Sequence, residues 1–297
     1  MDIIKQLENL NCGKVLANCN LKEYTTYQME GIIDAVIFPT SIEELKTLLQ
    51  FLKVNHVKHK IIGNGSNLIF EKHYNGVLIK LEAFHHLEIN DTMITVGAGY
   101  SIMKLALKAS RMGLSGLEFA TGIPGTVGGA IFMNAGAYKS DMGYIVKTVT
   151  VLTPELEIKE LTNQEMEFHY RTSFLQKHSG YICLEAKIEL IHGDQEEISE
   201  LIKERKKRRL ETQPLEYPSA GSVFRNPEGD FAGRLIELIG YKGKKIGGAE
   251  VSKKHANFII NKDGATGEDI KQLIREIQEK VKKETGIELK AEQEFVE

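Results

Sequence analysis

The chain alternates between short apolar runs and segments in which apolar residues recur at helical spacing. Residues 34–38 form an apolar run that predicts a strand, and Ser41 with Glu44 then forms a capping box that opens a helix. A second such pair is predicted at 93–96 and in the helix that begins at Ser101. This alternation is typical of an α/β or α+β domain. Further strands are predicted at 60–62, 77–79, 148–152, 158–161 and 181–190.

The second half of the chain predicts longer helices and a break between domains. A charged helix from about 194 to 210 has Ile198, Leu201 and Ile202 on its predicted buried side. Residues 213–218 contain two prolines, which places a domain boundary near residue 210. Beyond it we predict a helix at 231–239, a strand at 257–260, and a helix that the Thr266/Asp269 box opens and whose apolar face carries Ile270, Leu273, Ile274, Ile277 and Val281.

The composition is that of a folded protein without a marked charge excess. The length of 297 residues predicts two or three domains, and 42% hydrophobic with 27% charged residues argues against disorder. A net charge of −3 does not indicate a nucleic-acid partner. Without a signal-peptide pattern or an apolar run of membrane-spanning length, we expect a cytoplasmic protein, and we expect a monomer. The three cysteines form no CxxC pattern and the histidine pairs have no accompanying carboxylate pattern, so we expect no metal site.

Glycine is the compositional outlier, and its positions are more informative than its number. Ten of the 27 glycines lie between Gly97 and Gly143. The loop 63–67 (GNGSN) follows a short strand, where backbone N–H groups can hold a phosphate, although a simple tight turn is the alternative. The runs 121–130 (TGIPGTVGGA) and 134–138 (NAGAY) are more specific, because so much glycine suits close approach of the backbone to a large flat ligand with a pyrophosphate. A purely structural glycine-rich loop remains the alternative.

These motifs occur in an order that resembles one enzyme family. The runs GNGSN, VGAG, GIPGTVGGA and NAGAY are followed by YRTS at 170–173, SAGSVFRNP at 219–227, KHANF at 254–258 and LKAE at 289–292. The chain is similar in this respect to the UDP-N-acetylenolpyruvoylglucosamine reductases, flavoenzymes of cell-wall precursor synthesis. The resemblance extends from 25–27 to Glu292 and indicates the shorter type, which lacks a tyrosine-bearing loop. One segment, 28–31 (QMEG), departs from the family's Arg-x-Gly-Gly run.

The resemblance implies an α+β fold with an FAD-binding part of the vanillyl-alcohol-oxidase/PCMH type. That part would consist of two subdomains, at 1–83 and 84–209, followed by an α+β substrate-binding domain at 210–297. It also implies FAD and NADPH as cofactors. The residues expected to hold FAD are Gly63, Asn64, Gly65, Ser66, Asn67, Gly97, Gly99, Thr121, Gly122, Pro124, Gly125, Gly128, Gly129, Asn134, Gly136 and Ala137.

Three residues are candidates for the chemistry that the resemblance implies. Hydride transfer to an enolpyruvyl ether leaves negative charge beside the carboxylate, which calls for a fixed cation and then a proton. Arg171 suits the first task and Ser222 the second, while Glu292 is placed to orient the enol or to donate a hydrogen bond. A surface ion pair, a turn serine and a solvated carboxylate are the respective alternatives. Substrate contacts are expected from Tyr170, Arg225, Asn226, His255, Asn257 and Arg209.

Two other functions are compatible with the motifs. The first is an oxidase of a sugar or alcohol built on the same flavoprotein fold, which would need a base rather than a proton donor. The second is a non-catalytic flavin- or nucleotide-binding regulator that kept the cofactor site. The implied reduction of UDP-N-acetylenolpyruvoylglucosamine to UDP-N-acetylmuramate is the reading that the set of Arg171, Ser222 and Glu292 favours.

Overall fold

A computed structural model describes residues 3–297. The helices are α1 (Ile3–Asn9), α2 (Ile42–Val54), α3 (Ile102–Arg111), α4 (Val127–Phe132), α5 (Phe174–Lys177), α6 (Gln195–Thr212), α7 (Ala232–Leu238) and α8 (Gly267–Thr285). The strands are β1 (Lys14–Asn20), β2 (Ile32–Phe38), β3 (His59–Ile62), β4 (Leu68–Phe70), β5 (His73–Lys80), β6 (Leu87–Asn90), β7 (Met93–Gly97), β8 (Leu114–Ser115), β9 (Gly136–Ala137), β10 (Ser140–Asp141), β11 (Val146–Leu152), β12 (Ile158–Thr162), β13 (Ile182–Glu189), β14 (Ile191–His192), β15 (Lys245–Ile246), β16 (Ala249–Val251), β17 (Ile259–Asn261) and β18 (Glu294–Val296). Short 3₁₀ helices occur at Leu21–Glu23, Glu118–Gly122 and Met142–Tyr144.

The chain folds into two compact units that exchange segments along the sequence. The first comprises the residues up to Ala17, Ala35–Asn64 and Gly76–Lys206, and the second comprises Asn18–Asp34, Gly65–Asn75 and Lys207–Glu297. The three-part division expected from the sequence (1–83, 84–209 and 210–297) stays a prediction.

Two larger sheets lie mostly in the first unit, and the described residues of that unit form two hydrophobic cores. One sheet has the strand order β1-β2-β5-β3, with β3 parallel to β5, and the other is antiparallel with the order β12-β11-β13-β7-β6. The apolar stripe of α2 packs into the first core beside Ile79, and α3 packs into the second beside Val149. Burying these faces is the main force that holds both helices in place.

The second unit has a small sheet and a long helix. Strands β15, β16 and β17 form an antiparallel sheet, and β18 pairs in parallel with β4. Helix α8 begins at the predicted capping box, in which Thr266 and Asp269 each bond the other's backbone N–H, and it ends at Gly286 in the left-handed conformation. The five predicted apolar residues of its inner face are all buried, which confirms that prediction.

Most predicted elements are confirmed, with one error in packing. Ser41 caps α2 as expected, but Glu44 accepts from the Thr40 N–H and hydroxyl rather than from Ser41. The buried side predicted for α6 is wrong beyond Ile198, because Leu201 is 37% exposed and Ile202 is only partly buried. The charged residues that surround these positions keep most of α6 in contact with solvent.

The glycine-rich stretch from 117 to 138, which has no clear periodicity, contains short elements. They are the 3₁₀ turn at Glu118–Gly122, the two turns of α4 and the strand β9. Within residues 3–297, no helix is both long enough and apolar enough to cross a membrane. The same part of the chain holds no cluster of three His, Cys, Asp or Glu side chains suited to a metal ion.

Candidate active site

The loop 63–67 is fixed at its start by two contacts within the first unit. The Lys80 ammonium, only 11% exposed, donates to the Gly63 carbonyl at 2.7 Å and lies 3.4 Å from the Glu82 carboxylate. The Asn64 side-chain amide donates to the Pro124 carbonyl at 3.1 Å, which joins this loop to the second glycine-rich run. Burial lowers the pKa of Lys80, and the neighbouring Glu82 partly opposes that shift.

Several backbone N–H groups of this loop are available for a ligand. Among residues 3–297, no protein acceptor takes a hydrogen bond from the N–H of Asn64, Gly65 or Ser66. Gly65 is itself a buried residue with a φ of +61°, in the left-handed region. Successive backbone donors in a turn form a concave site for anions. The loop therefore has donors suited to an anion, and its predicted contact with FAD stays a prediction.

At several of these glycines, neighbouring protein atoms leave no room for a side chain. A Cβ on Gly63 would lie 2.5 Å from Thr126 Oγ1, and a Cβ on Gly128 would lie 2.9 Å from Ala98 Cβ. A Cβ on Gly99 would collide with the Leu81 carbonyl oxygen. Gly129 differs, because its Cβ would meet only the Thr126 hydroxyl, at 3.4 Å. The loops are thus packed closely against one another, and Gly129 is the position where the packing leaves space beside the backbone.

The second glycine-rich run meets the helix α4. Thr126 caps this helix by accepting the Gly129 N–H at 3.2 Å, and the N–H groups of Val127 and Gly128 bond the carbonyls of Tyr100 and Ala98. The predicted loops 97–99 and 121–129 are therefore adjacent in the first unit. The Thr121 hydroxyl donates to the Glu118 carbonyl at 3.0 Å and stabilises the preceding 3₁₀ turn.

Arg171 lies beside the NAGAY segment in the same unit. Its Nη2 donates to the Gly136 carbonyl at 2.6 Å, and its guanidinium lies 5.1 Å from the centroid of the Tyr170 ring, which is 53% exposed. The pKa of the nearby Asp141 is raised by burial, while hydrogen bonds and the charge of Arg171 act against that rise.

The backbone at Arg171 is held in a conformation that L-residues seldom adopt. Its φ is +54°, and His169 and Thr172 close the turn around it by two mutual N–H···O bonds of 3.0 Å. A left-handed non-glycine residue costs roughly 1–2 kcal/mol. The Asn134 amide, which is buried, supports the turn by donating to the His169 carbonyl at 2.9 Å, and it accepts the Gly143 N–H. The side chain of Asn134 is thus bonded to protein, and its predicted cofactor contact stays a prediction.

Ser222 and Glu292 lie close together in the second unit. The Glu292 N–H donates to the Val223 carbonyl at 2.8 Å, and the Arg225 N–H donates to the Lys290 carbonyl at 3.0 Å. Gly221, with a φ of +73°, has no other atoms within 4 Å of its Cβ position, so open space adjoins the partly exposed Ser222. The chain segments that carry Ser222 and Glu292 are therefore hydrogen-bonded neighbours, and open space adjoins the segment of Ser222.

Two asparagines connect this pair to other predicted residues. Asn67 donates to the Glu292 carbonyl at 3.0 Å and accepts the Glu294 N–H at its own carbonyl at 2.9 Å. Asn257 is buried and bonds both peptide groups of Phe224. The second half of the GNGSN loop, the SAGSVF segment and the LKAE segment thus meet within one unit.

The other residues predicted to contact the substrate differ in burial and in their hydrogen-bond partners. His255 Nδ1 accepts the Asn257 N–H at 3.2 Å, and burial together with the charge of Lys242 lowers the pKa of its imidazole. The Asn226 carboxamide oxygen accepts the Ala232 N–H at 3.1 Å, at the start of α7. Arg209 lies on the last turns of α6, in the second unit. Their substrate contacts stay predictions, as does the division of labour among Arg171 of the first unit and Ser222 and Glu292 of the second.

Sequence reasoning missed two supporting residues. Lys80 reads as an ordinary strand residue, and Gln176 as a polar residue of a short helix. Gln176 donates to the carbonyls of Phe132 at 2.8 Å and Arg171 at 3.2 Å. The sequence signal for Gln176 is its position three residues after the YRTS motif.

Family models and relatives agree on what this chain resembles. The model for the UDP-N-acetylenolpyruvoylglucosamine reductase C-terminal domain matches residues 213–296, and the model for an FAD binding domain matches residues 33–162. The UDP-N-acetylenolpyruvoylglucosamine reductase of Halalkalibacterium halodurans is 45% identical over 296 residues, which cover 99% of this chain and 98% of that protein. The enzyme of that name from Bacillus subtilis is 43% identical, with the same coverage.

A solved structure extends the similarity to three dimensions. The crystal structure of UDP-N-acetylenolpyruvylglucosamine reductase from Thermus caldophilus matches with a TM-score of 0.82 and 33% identity, over 96% of this chain and 99% of that one. The family, the FAD cofactor and the α+β FAD-binding fold of the vanillyl-alcohol-oxidase/PCMH type that the motifs predicted are confirmed. The chain belongs to the UDP-N-acetylenolpyruvoylglucosamine reductase family, the FAD-dependent oxidoreductases of peptidoglycan precursor synthesis.

Proposed function

We propose that this chain uses NADPH to convert UDP-N-acetylenolpyruvoylglucosamine to UDP-N-acetylmuramate, with Arg171, Ser222 and Glu292 acting on the substrate. FAD, when bound, would supply the hydride chemistry, accepting hydride from NADPH and donating it from N5 to the enolpyruvyl methylene carbon. The methylene becomes a methyl group, and the electron pair of the double bond moves onto the neighbouring carbon and into its carboxylate. One proton to that carbon completes the reduction.

Arg171 is the proposed partner of the substrate carboxylate. A guanidinium carries N–H donors in a planar fork, a geometry that matches the two oxygens of a carboxylate. Two parallel bonds to a carboxylate would stabilise the enolate charge as it develops. The strained backbone at Arg171 supports this role, because such conformations persist where the surrounding structure fixes a side chain for function.

Ser222 is the proposed proton donor, and the backbone bond between its segment and that of Glu292 is the observation that supports the proposal. The Glu292 N–H donates to the carbonyl of Val223, the residue after Ser222, so the two segments that the family's motifs mark are neighbours. A serine hydroxyl is a weak acid, so the alkoxide formed after proton transfer needs a nearby donor or cation. Arg225, in the same segment, is the candidate cation, whereas Glu292 could donate a hydrogen bond only in its protonated form.

The two half-reactions test this proposal separately. Stopped-flow absorbance of the FAD-bound protein follows flavin reduction by NADPH, and then flavin reoxidation by the enolpyruvyl sugar nucleotide. Ser222→Ala should keep the reduction rate within about twofold and slow the reoxidation by roughly 10²–10⁴-fold, the usual contribution of a general acid. Ser110→Ala, at a partly exposed position of α3, serves as the matched control.

Other outcomes would point to the rival functions. Equal slowing of both half-reactions would remove Ser222 from the proton-donor role. Rapid reoxidation by oxygen but not by the enolpyruvyl sugar nucleotide would indicate an oxidase, and no turnover with either would indicate a flavin-binding regulator. The preference for NADPH, the monomeric state and the cytoplasmic location stay predictions.

A further inference from the structure

We infer that Gln176 is a positioning residue for Arg171, which it holds by the backbone so that the guanidinium meets the substrate carboxylate. The inference rests on the proposed function of Arg171. It concerns a residue outside the family motifs described above.

The primary amide of Gln176 has two N–H donors and places both on backbone carbonyls. One bond of 2.8 Å goes to Phe132, and one of 3.2 Å goes to Arg171. The thioether of Met133 lies 3.4 Å away as a weak third contact. Since an amide nitrogen carries only two protons, the two carbonyls use its full donor capacity. Gln176 thus connects Arg171 directly to residue 132.

The Phe132 carbonyl is a rigid anchor. It belongs to the last residue of α4, where the carbonyls lack partners within the helix. It accepts a second bond of 2.7 Å from the hydroxyl of Ser173, which is fully buried. The other end of α4 begins at Thr126, in the run expected to hold FAD. One short helix therefore ties the Arg171 turn to the cofactor loops of the same unit.

The Arg171 turn needs such a restraint because its backbone is strained. A turn whose third residue has a positive φ favours glycine at that position, and Arg171 has a φ of +54°. Without the bond from Gln176, the peptide that follows Arg171 could rotate toward a commoner conformation. The guanidinium would then leave the Gly136 carbonyl, which it contacts at 2.6 Å. A displacement of about 1 Å at a reacting group lowers rates by up to roughly 10²-fold.

A double-mutant cycle on the FAD-bound protein tests the inference. The variants are Gln176→Leu, Arg171→Met and the double variant, and the readouts are FAD content and the two half-reaction rates. Gln176→Leu should slow reoxidation by the enolpyruvyl sugar nucleotide by roughly 10–100-fold and leave reduction by NADPH within about twofold. In the Arg171→Met background the same change should have no further effect, because there is no guanidinium left to position. Gln272→Leu, at an exposed glutamine of α8, is the control.

The outcomes separate this inference from the proposed function. If Arg171→Met slows reoxidation but Gln176→Leu does not, the inference is wrong and the role of Arg171 stands. If Gln176→Leu slows reoxidation by the same factor in both backgrounds, its effect is structural and the inference is also wrong. If Arg171→Met reoxidises at the wild-type rate, the proposed function of Arg171 fails first. Should Gln176→Leu not fold, Gln176→Asn replaces it, since its shorter side chain cannot reach both carbonyls.

Discussion

The side-chain amide of Asn257 brackets Phe224. Its Oδ1 accepts the Phe224 N–H at 2.9 Å, and its Nδ2 donates to the Phe224 carbonyl at 2.8 Å. Its own carbonyl accepts the Val223 N–H at 2.9 Å. Three bonds therefore fix the chain immediately after Ser222, and all of them come from a residue 33 or more positions away in the sequence. The orientation of the proposed proton donor depends on this bracket.

Replacing Asn257 by leucine should destabilise the protein. The variant leaves the buried N–H and carbonyl of Phe224 without side-chain partners, and each unsatisfied group costs about 1–3 kcal/mol. We expect the free energy of unfolding in denaturant to fall by roughly 2–5 kcal/mol. Asn90→Leu, at an exposed position of β6, is the control and should change it by less than about 0.5 kcal/mol. An equal effect of the two variants would show that the bracket contributes nothing.

Replacing Lys80 by methionine should weaken FAD binding. The trans peptide that follows Gly63 directs its N–H opposite to the carbonyl that Lys80 holds, so losing the ammonium frees that peptide to rotate. A hydrogen bond from a charged group is worth about 1.5–3 kcal/mol, which corresponds to a roughly 10–100-fold rise in the Kd for FAD. Titration of the apoprotein by flavin fluorescence measures it, with the exposed Lys104→Met as control. An unchanged Kd would refute the role of Lys80.

Two alanine substitutions separate the structural glycines from those that face a ligand. Gly99→Ala places a Cβ against the Leu81 backbone and should destabilise the apoprotein by about 1–3 kcal/mol. Gly129→Ala meets only the Thr126 hydroxyl and lies within α4, so it should stabilise the apoprotein by up to about 1 kcal/mol. We expect Gly129→Ala nevertheless to raise the Kd for FAD at least roughly tenfold, which equals about 1.4 kcal/mol. If FAD binds Gly129→Ala normally, Gly129 does not face the cofactor.

The buried imidazole of His255 should make stability depend on pH. Burial and the charge of Lys242 lower its folded-state pKa below the ordinary value, so the unfolded chain binds the proton more readily. The resulting stabilisation is complete above about pH 7 and is lost as the pH falls through the folded-state pKa. His255→Asn keeps an acceptor for the Asn257 N–H but cannot titrate, and should flatten this dependence. His56→Asn, which removes an exposed imidazole, is the control, and identical slopes for the two variants would contradict the prediction.

Local sequence patterns were sufficient to predict most helices and strands and to identify the family. The capping residues Ser41 and Thr266 begin helices where predicted, and the apolar face of α8 is buried as its spacing indicated. These features depend on residues within a few positions of one another, which is the range over which periodicity and capping act. The ordered motifs identified the family and FAD for a similar reason, since each motif is a short contiguous run.

The sequence by itself determined most of the helices and strands, the family and its FAD cofactor, whereas only the tertiary structure decided how individual side chains are used. Asn134 supports the turn of Arg171, Asn257 brackets Phe224, and Lys80 holds Gly63, although all three could have been read as ligand contacts or surface groups. Neighbouring protein atoms leave no room for a Cβ at Gly63, Gly99 or Gly128. These contacts join residues 17 to 35 positions apart, and chain folding rather than local spacing brings them within hydrogen-bonding distance.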